Sequence, residues 1–171
     1  SCGNGTDAIQ IALMALGVTE GDEVITPGFT YVATAEAAAV LGGKPVFVDV
    51  LPNQNIDPDK IEAAISNNTK AIMPVHLTGR ICDMDPIMTL AKKYGLAVVE
   101  DAAQAIGSKY KGSPSGSIGH VGCFSTHPLK NLNACGDGGF MTTNDEKIYS
   151  TAKALRNHGM ADRNDVNHFG Y

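Results

Sequence analysis

Leu96-Ala97-Val98-Val99-Glu100-Asp101-Ala102-Ala103-Gln104 is the stretch on which the fold turns. Its apolar run does not alternate with polar residues, and it ends on adjacent carboxylates. A strand with one wet face alternates, whereas a strand covered on both faces reads as a continuous apolar run. The stretch therefore predicts a strand inside a covered sheet, with acidic side chains at its carboxyl end. A carboxylate in that position is costly unless it is paired.

Similar short apolar segments recur on either side. Residues 23–26, 45–50, 71–75, 121–125 and 140–143 read as strands. Helical segments lie between them. Residues 8–16 are apolar nearly all round, which predicts a buried helix. Residues 34–41 are Ala-rich and stop at Gly42-Gly43. Residues 58–65 start with Asp57 as N-cap and Pro58 in the first position. A helix opens at Asp85-Pro86 and runs to Tyr94, with Gly95 as its stop. A last helix spans residues 145–157. Strands alternating with helices define an α/β fold with a mainly parallel, mixed sheet covered on both faces. Ligands of such sheets gather at the carboxyl ends of the strands. Thr26, Val75-His76, Glu100-Asp101 and Ser125 stand at those ends.

The chain has 171 residues and a formal net charge of -5. That length suits one domain with a substantial core. The charge gives no reason to expect nucleic acid or an anionic membrane as a partner. No apolar run approaches the roughly 20 residues of a membrane span. Cys2, Cys82, Cys123 and Cys135 are irregularly spaced, with no CxxC pair. That pattern predicts neither a metal site nor a disulfide framework, but reduced thiols in a cytoplasmic protein.

Three stretches can carry chemistry. Gly3-Asn4-Gly5-Thr6-Asp7 precedes the buried helix. It is either a phosphate site at a helix N-terminus or a capped turn, with Thr6 or Asp7 as N-cap. Asp101 either holds the protonated ring nitrogen of pyridoxal phosphate or caps the turn after its strand. Gln104 can reach the same side of that turn or lie on the surface. Ser125-Thr126-His127-Pro128-Leu129-Lys130-Asn131 sets a lysine on a loop between two core strands, followed by Gly136-Asp137-Gly138-Gly139. Lysines usually decorate solvated helices, so Lys130 is a candidate to form a Schiff base with that cofactor. An exposed loop lysine is the plainer alternative. Ser125 can hydrogen-bond a phosphate, and Tyr31 can stack on a planar ring or pack on the core. His76 and His127 read as satisfied imidazoles rather than catalysts.

In chain order these stretches resemble the DegT/DnrJ/StrS family of sugar aminotransferases, which are fold type I pyridoxal-phosphate enzymes. The matching elements are GNGTDAIQIAL, TPGFTYVATAEA, PVFVDV, PVHLTG, VVEDAAQAIGS, the Ser-x-x-Pro-x-Lys-Asn pattern of residues 125–131, and GDGG. The resemblance implies a three-layer αβα large domain and pyridoxal 5'-phosphate as cofactor. It assigns the Schiff-base lysine to Lys130, the ring-nitrogen partner to Asp101 and the ring-hydroxyl contact to Gln104. Ser125 with Gly5, Thr6 and Asp7 becomes the phosphate cradle, and Tyr31 the aromatic on the ring face. It further implies a homodimer with active sites shared across the interface. The substrates would be a nucleotide-linked keto sugar and an amino-acid donor, with glutamate expected.

On this reading residues 1–171 are the central part of the cofactor-binding domain, without its start and without a C-terminal small domain. The chain ends at Phe169-Gly170-Tyr171 with no tail-like composition. Thr126, Leu129 and Arg80 depart from the family's usual residues near the expected sugar pocket. Lysine at position 130 speaks against the family's dehydratases, which carry histidine there. A regulatory protein that binds the cofactor without turnover is the alternative of a different class.

Overall fold

The computed structural model describes residues 1–160 and 165–166; Phe169-Gly170-Tyr171 lies outside them. The elements follow one another as α1 (Gly5–Ala15), β1 (Glu23–Pro27), α2 (Ala33–Val40), β2 (Lys44–Val48), α3 (Pro58–Ala64) and β3 (Thr69–Ile72). After a 3-10 turn at Leu77–Gly79 come α4 (Met84–Tyr94), β4 (Ala97–Asp101), β5 (Lys109–Tyr110), β6 (Ser113–Pro114), β7 (Val121–Ser125), β8 (Gly139–Thr142) and α5 (Glu146–Leu155).

The main sheet has the order β2-β1-β3-β4-β7-β8. Every neighbouring pair is parallel except β7 with β8, where Ser125 lies opposite Gly139. The mixed, mainly parallel sheet expected from the sequence is thus present. Consecutive residues along a strand point to opposite faces, and the core divides accordingly. Val24, Ala71 and Val99 pack with Ala8, Ile9, Ala12 and Leu13 of α1, Ala37 and Ala38 of α2, and Ile148 of α5. Ile25, Ile72 and Val98 pack with Ile61 of α3 and with Met84, Ile87 and Ala91 of α4. Helices therefore cover both faces, which is why the strands need no polar alternation. Each fully buried Ile or Leu contributes about 1.5–3 kcal/mol.

The boundaries follow local chemistry. Asp57 caps α3 by accepting from the Asp59 amide at 3.1 Å, with Pro58 in the first position. Gly95 closes α4 in the left-handed conformation, at φ 67. Asp145 caps α5 through the amides of Lys147 and Ile148. The third strand is Thr69–Ile72 rather than 71–75, and the last helix Glu146–Leu155 rather than 145–157. Two further expectations need correction. The N-cap of α1 is Asn4, not Thr6 or Asp7: its backbone is extended and its Oδ1 accepts from the Asp7 amide at 2.8 Å. The start of α4 is Met84, with Asp83 at the cap position, so the helix begins before Asp85-Pro86. Antiparallel β5 and β6 were not foreseen. Two-residue strands carry no periodicity, and the only signal was Gly112, which with Lys111 adopts positive φ as a tight hairpin turn requires.

Candidate active site

The carboxyl ends of β1, β3, β4 and β7 converge on one edge of the sheet, and the loop from Thr126 to Gly138 begins and ends there. The N-terminus of α1 is pinned to the same edge. Cys2 bridges Gly139 through paired backbone bonds, and a Cβ added to Gly5 would lie 2.7 Å from the Ser125 Cβ. Gly5, Thr6 and Ser125 therefore form one narrow surface. The first amides of a helix have no intrahelical acceptor. Asn4 serves the amide of Asp7 through its side chain and that of Ala8 through its carbonyl. The Gly5 and Thr6 amides stay open to a ligand, whereas the Asp7 amide is already committed. Ser125 Oγ accepts from the His127 amide at 3.3 Å, so its own proton is free to be donated.

Asp101 ends β4. It lies on the same face as Val99, under α2, and is only 6% exposed. Its Oδ2 accepts from the Thr34 hydroxyl at 2.7 Å, and its Oδ1 from the Ala103 amide at 3.2 Å. Asp101 thus does cap the turn, but with one oxygen only. Burial pushes its carboxyl above the usual carboxylate range, while the Thr34 and Ala103 bonds and the nearby His76 ring and Lys130 amine pull it back down. Lys130 contributes the weakest of these effects on Asp101. Among the described residues the Lys130 side chain has no hydrogen-bond or ion-pair partner.

Glu100, the other carboxylate of the pair, points to the opposite face and is fully buried. It accepts from His76 Nε2 at 2.9 Å and from the amides of Gly116, Ile118 and Gly119 at 2.8, 2.7 and 2.6 Å. Burial pushes this carboxyl up, but the His76 ring and the Gly119 and Gly116 amides outweigh burial and hold it below the usual range. His76 Nδ1 accepts from the Cys82 amide at 3.3 Å, so its ring proton sits on Nε2 and goes to Glu100. His76 is the satisfied buried imidazole expected. His127 is not buried; its Nε2 stands 3.9 Å from Asp137, with the side chain 45% exposed.

Gln104 is not a free surface residue. Its Oε1 accepts from the Thr78 amide at 2.7 Å, so its amide protons are the end left for another partner. Tyr31, on the loop between β1 and α2, is 70% exposed and does not pack on the core. Sequence reasoning missed Thr34 and the Glu100–His76 hub. No pattern in the sequence marks Thr34, which shares the first turn of α2 with Glu36, whereas acidic neighbours on a buried strand were the sign for Glu100. A groove of about 650 Å³ lined by Ile11, Met141, Tyr149, Lys153 and Arg156 contains no carboxylate and none of these residues.

These residues suit pyridoxal phosphate. The cradle at Gly5 leaves no space for a Cβ, a buried carboxylate keeps lone pairs open, and an amine free of partners lies within reach of its field. The fold is that of the fold type I pyridoxal-phosphate aminotransferases. A model of the DegT/DnrJ/EryC1/StrS aminotransferase family matches residues 1–171, and the chain belongs to that family. It is 54% identical, over 95% of its length and 46% of the relative's, to a UDP-2-acetamido-2-deoxy-3-oxo-D-glucuronate aminotransferase of Pseudomonas aeruginosa. It is also 54% identical, over 92% of its length and 43% of the relative's, to a pleiotropic regulatory protein of Geobacillus stearothermophilus. A crystal structure of ntda from Bacillus subtilis with bound cofactor pmp superposes with a TM-score of 0.91 at 40% identity, covering 99% of this chain and 39% of that one. The chain thus spans a little under half the length of these relatives. The cofactor of the chain is pyridoxal 5'-phosphate.

Proposed function

We propose that residues 1–171 are the central part of the large domain of a nucleotide-sugar aminotransferase. The whole protein transfers an amino group from an amino acid, glutamate in this reading, to a keto group of a nucleotide-linked sugar. The observation that carries the proposal is Asp101: a buried carboxylate with open lone pairs, in the field of a partner-free lysine, beside a helix N-terminus too tight for a Cβ. The names of the relatives support the substrate class.

Bound pyridoxal phosphate supplies an electron sink next to the carbon–nitrogen bond being rearranged. The chain's own residues do the rest. Asp101 keeps a proton on the ring nitrogen. The Gln104 amide donates to the ring oxygen, because its Oε1 is already taken by Thr78. The Gly5 and Thr6 amides and the Ser125 hydroxyl hold the phosphate, with the positive end of α1 behind them. Asp7 shapes that turn through Asn4. Tyr31 covers one ring face. Lys130 Nζ would hold the cofactor between turnovers and, once displaced by the amino donor, would serve as the base and acid that moves the proton. Arg80, Thr126 and the exposed Leu129 border the space left for the sugar.

Phe29, Tyr31, Val32 and Phe47 are all more than half exposed near the ends of β1 and β2. This apolar edge supports a homodimer whose sites share the interface. The free cysteines among the described residues accord with a cytoplasmic protein, and no helix among those residues is long and apolar enough to cross a membrane. The name of the Geobacillus relative favours a second reading, a regulator that binds the cofactor without turnover.

The test is to load the full chain with pyridoxal phosphate and supply glutamate and a UDP-linked keto sugar. The proposal expects 2-oxoglutarate and amino sugar in equal amounts, and neither from Lys130→Ala. Bound cofactor with no 2-oxoglutarate would establish the regulator instead.

A further inference from the structure

The Asp101 carboxylate is not held by its own strand alone. Its Oδ2 receives the hydroxyl of Thr34, a fully buried residue of the first turn of α2, at 2.7 Å. The Thr34 oxygen also lies 2.9 Å from the Thr30 hydroxyl. Thr34 donates its one hydroxyl proton to Asp101 Oδ2. Thr30 must then be the donor to Thr34. The chain of hydroxyls therefore runs in one direction, Thr30 to Thr34 to Asp101. It starts on the loop that carries Tyr31 and ends on the carboxylate.

We propose that Thr34 is a positioning residue, which, with Thr30 behind it, orients the Asp101 carboxylate toward the cofactor's ring nitrogen and ties it to the loop bearing Tyr31. This rests on the reading of Asp101 given above. The Ala103 amide fixes the other oxygen, so the two bonds together remove rotation about the carboxyl group. The open lone pair on each oxygen then has a set direction. Losing a hydrogen bond to a charged group leaves that charge less well solvated. The site has no other hydroxyl on Asp101 to replace it among the described residues. The groups that also act electrostatically on Asp101 are His76 and Lys130, and Asp101 in turn acts on the buried thiols of Cys82 and Cys123. None of them comes from α2, so a change at Thr34 leaves them in place.

The experiment compares Thr34→Val, which keeps the shape and removes the hydroxyl, with Thr34→Ser, which keeps the hydroxyl. Both are made in the full chain. The Asp101 carboxyl is titrated by carbon NMR in the cofactor-free protein, and pyridoxal phosphate affinity is measured separately. The proposal expects Thr34→Val to raise the Asp101 titration midpoint and weaken cofactor binding about tenfold, with Thr34→Ser close to the parent in both. Thr34→Val matching the parent in both measurements overturns it, as does a Thr34→Ser variant that behaves like Thr34→Val. A parent protein that binds no cofactor, with the Asp101 midpoint still moving in Thr34→Val alone, overturns the assignment of Asp101 to the cofactor and leaves the hold of Thr34 on the carboxylate established.

Discussion

Asp101 and Glu100 are neighbours in sequence with opposite electrostatic fates. The strand pleat sends one to each face of the sheet. Glu100 meets a ring N–H and three amides, and stays ionised at a cost those donors offset. Asp101 meets a single hydroxyl and a single amide, and burial wins. A carboxyl whose folded value is raised stabilises the fold below its unfolded value and loses that contribution as pH rises through the folded value. Above the folded value the cofactor-free protein therefore carries an ionised carboxylate it would be more stable without. Asp101→Asn keeps an oxygen for Thr34 and removes the charge. Thermal unfolding of the cofactor-free variant at pH 7 is expected at or above the parent temperature, with the difference vanishing below about pH 3.8. Pyridoxal phosphate affinity is expected to drop at least about tenfold.

At the scale of elements, Glu100 joins parts of the chain that are far apart in sequence. It ties β4 to the segment entering β7 and, through His76, to the segment after β3. Gly122 reinforces that joint, since a Cβ there would overlap the backbone of Gly116. Because Glu100 is held below its usual value, its contribution is present above about pH 4.5 and is lost as pH falls through the lower folded value. Glu100→Gln must turn an amide toward inward-pointing N–H donors. Urea unfolding at pH 7 is expected to show a loss of about 3 kcal/mol, and a shallower fall in stability on acidification than the parent shows.

The strands and helices of the main sheet were legible in the sequence because burial on both faces writes itself as continuous apolar runs, and caps such as Asp57 and Gly95 mark the ends. Ser125 and Asp101 were legible as polar residues at strand ends, and Lys130 as a lysine on the loop between two core strands. Thr34 was not, because one hydroxyl in an Ala-rich turn has no pattern. Its importance comes from a carboxylate 67 positions away in the chain. The cap at Asn4 was missed because Asn4, Thr6 and Asp7 are all competent caps, and only the backbone conformation chooses among them.

On the scale of the whole molecule, the parallel sheet gathers residues from every part of the chain at one edge. Tyr31, Asp101, Ser125 and the start of α1 meet there because successive parallel strands all end on the same side. The antiparallel return of β8 closes the lysine loop over that edge and brings Gly139 beside Asn4. The architecture thus brings together segments that have no local reason to associate. The most direct test is chemical. The full chain is incubated with pyridoxal phosphate, reduced with borohydride, digested and sequenced by mass spectrometry. The account predicts a cofactor label on Lys130, absent from Lys130→Ala. A label on a different lysine of the parent protein, or one that persists unchanged in Lys130→Ala, would contradict it.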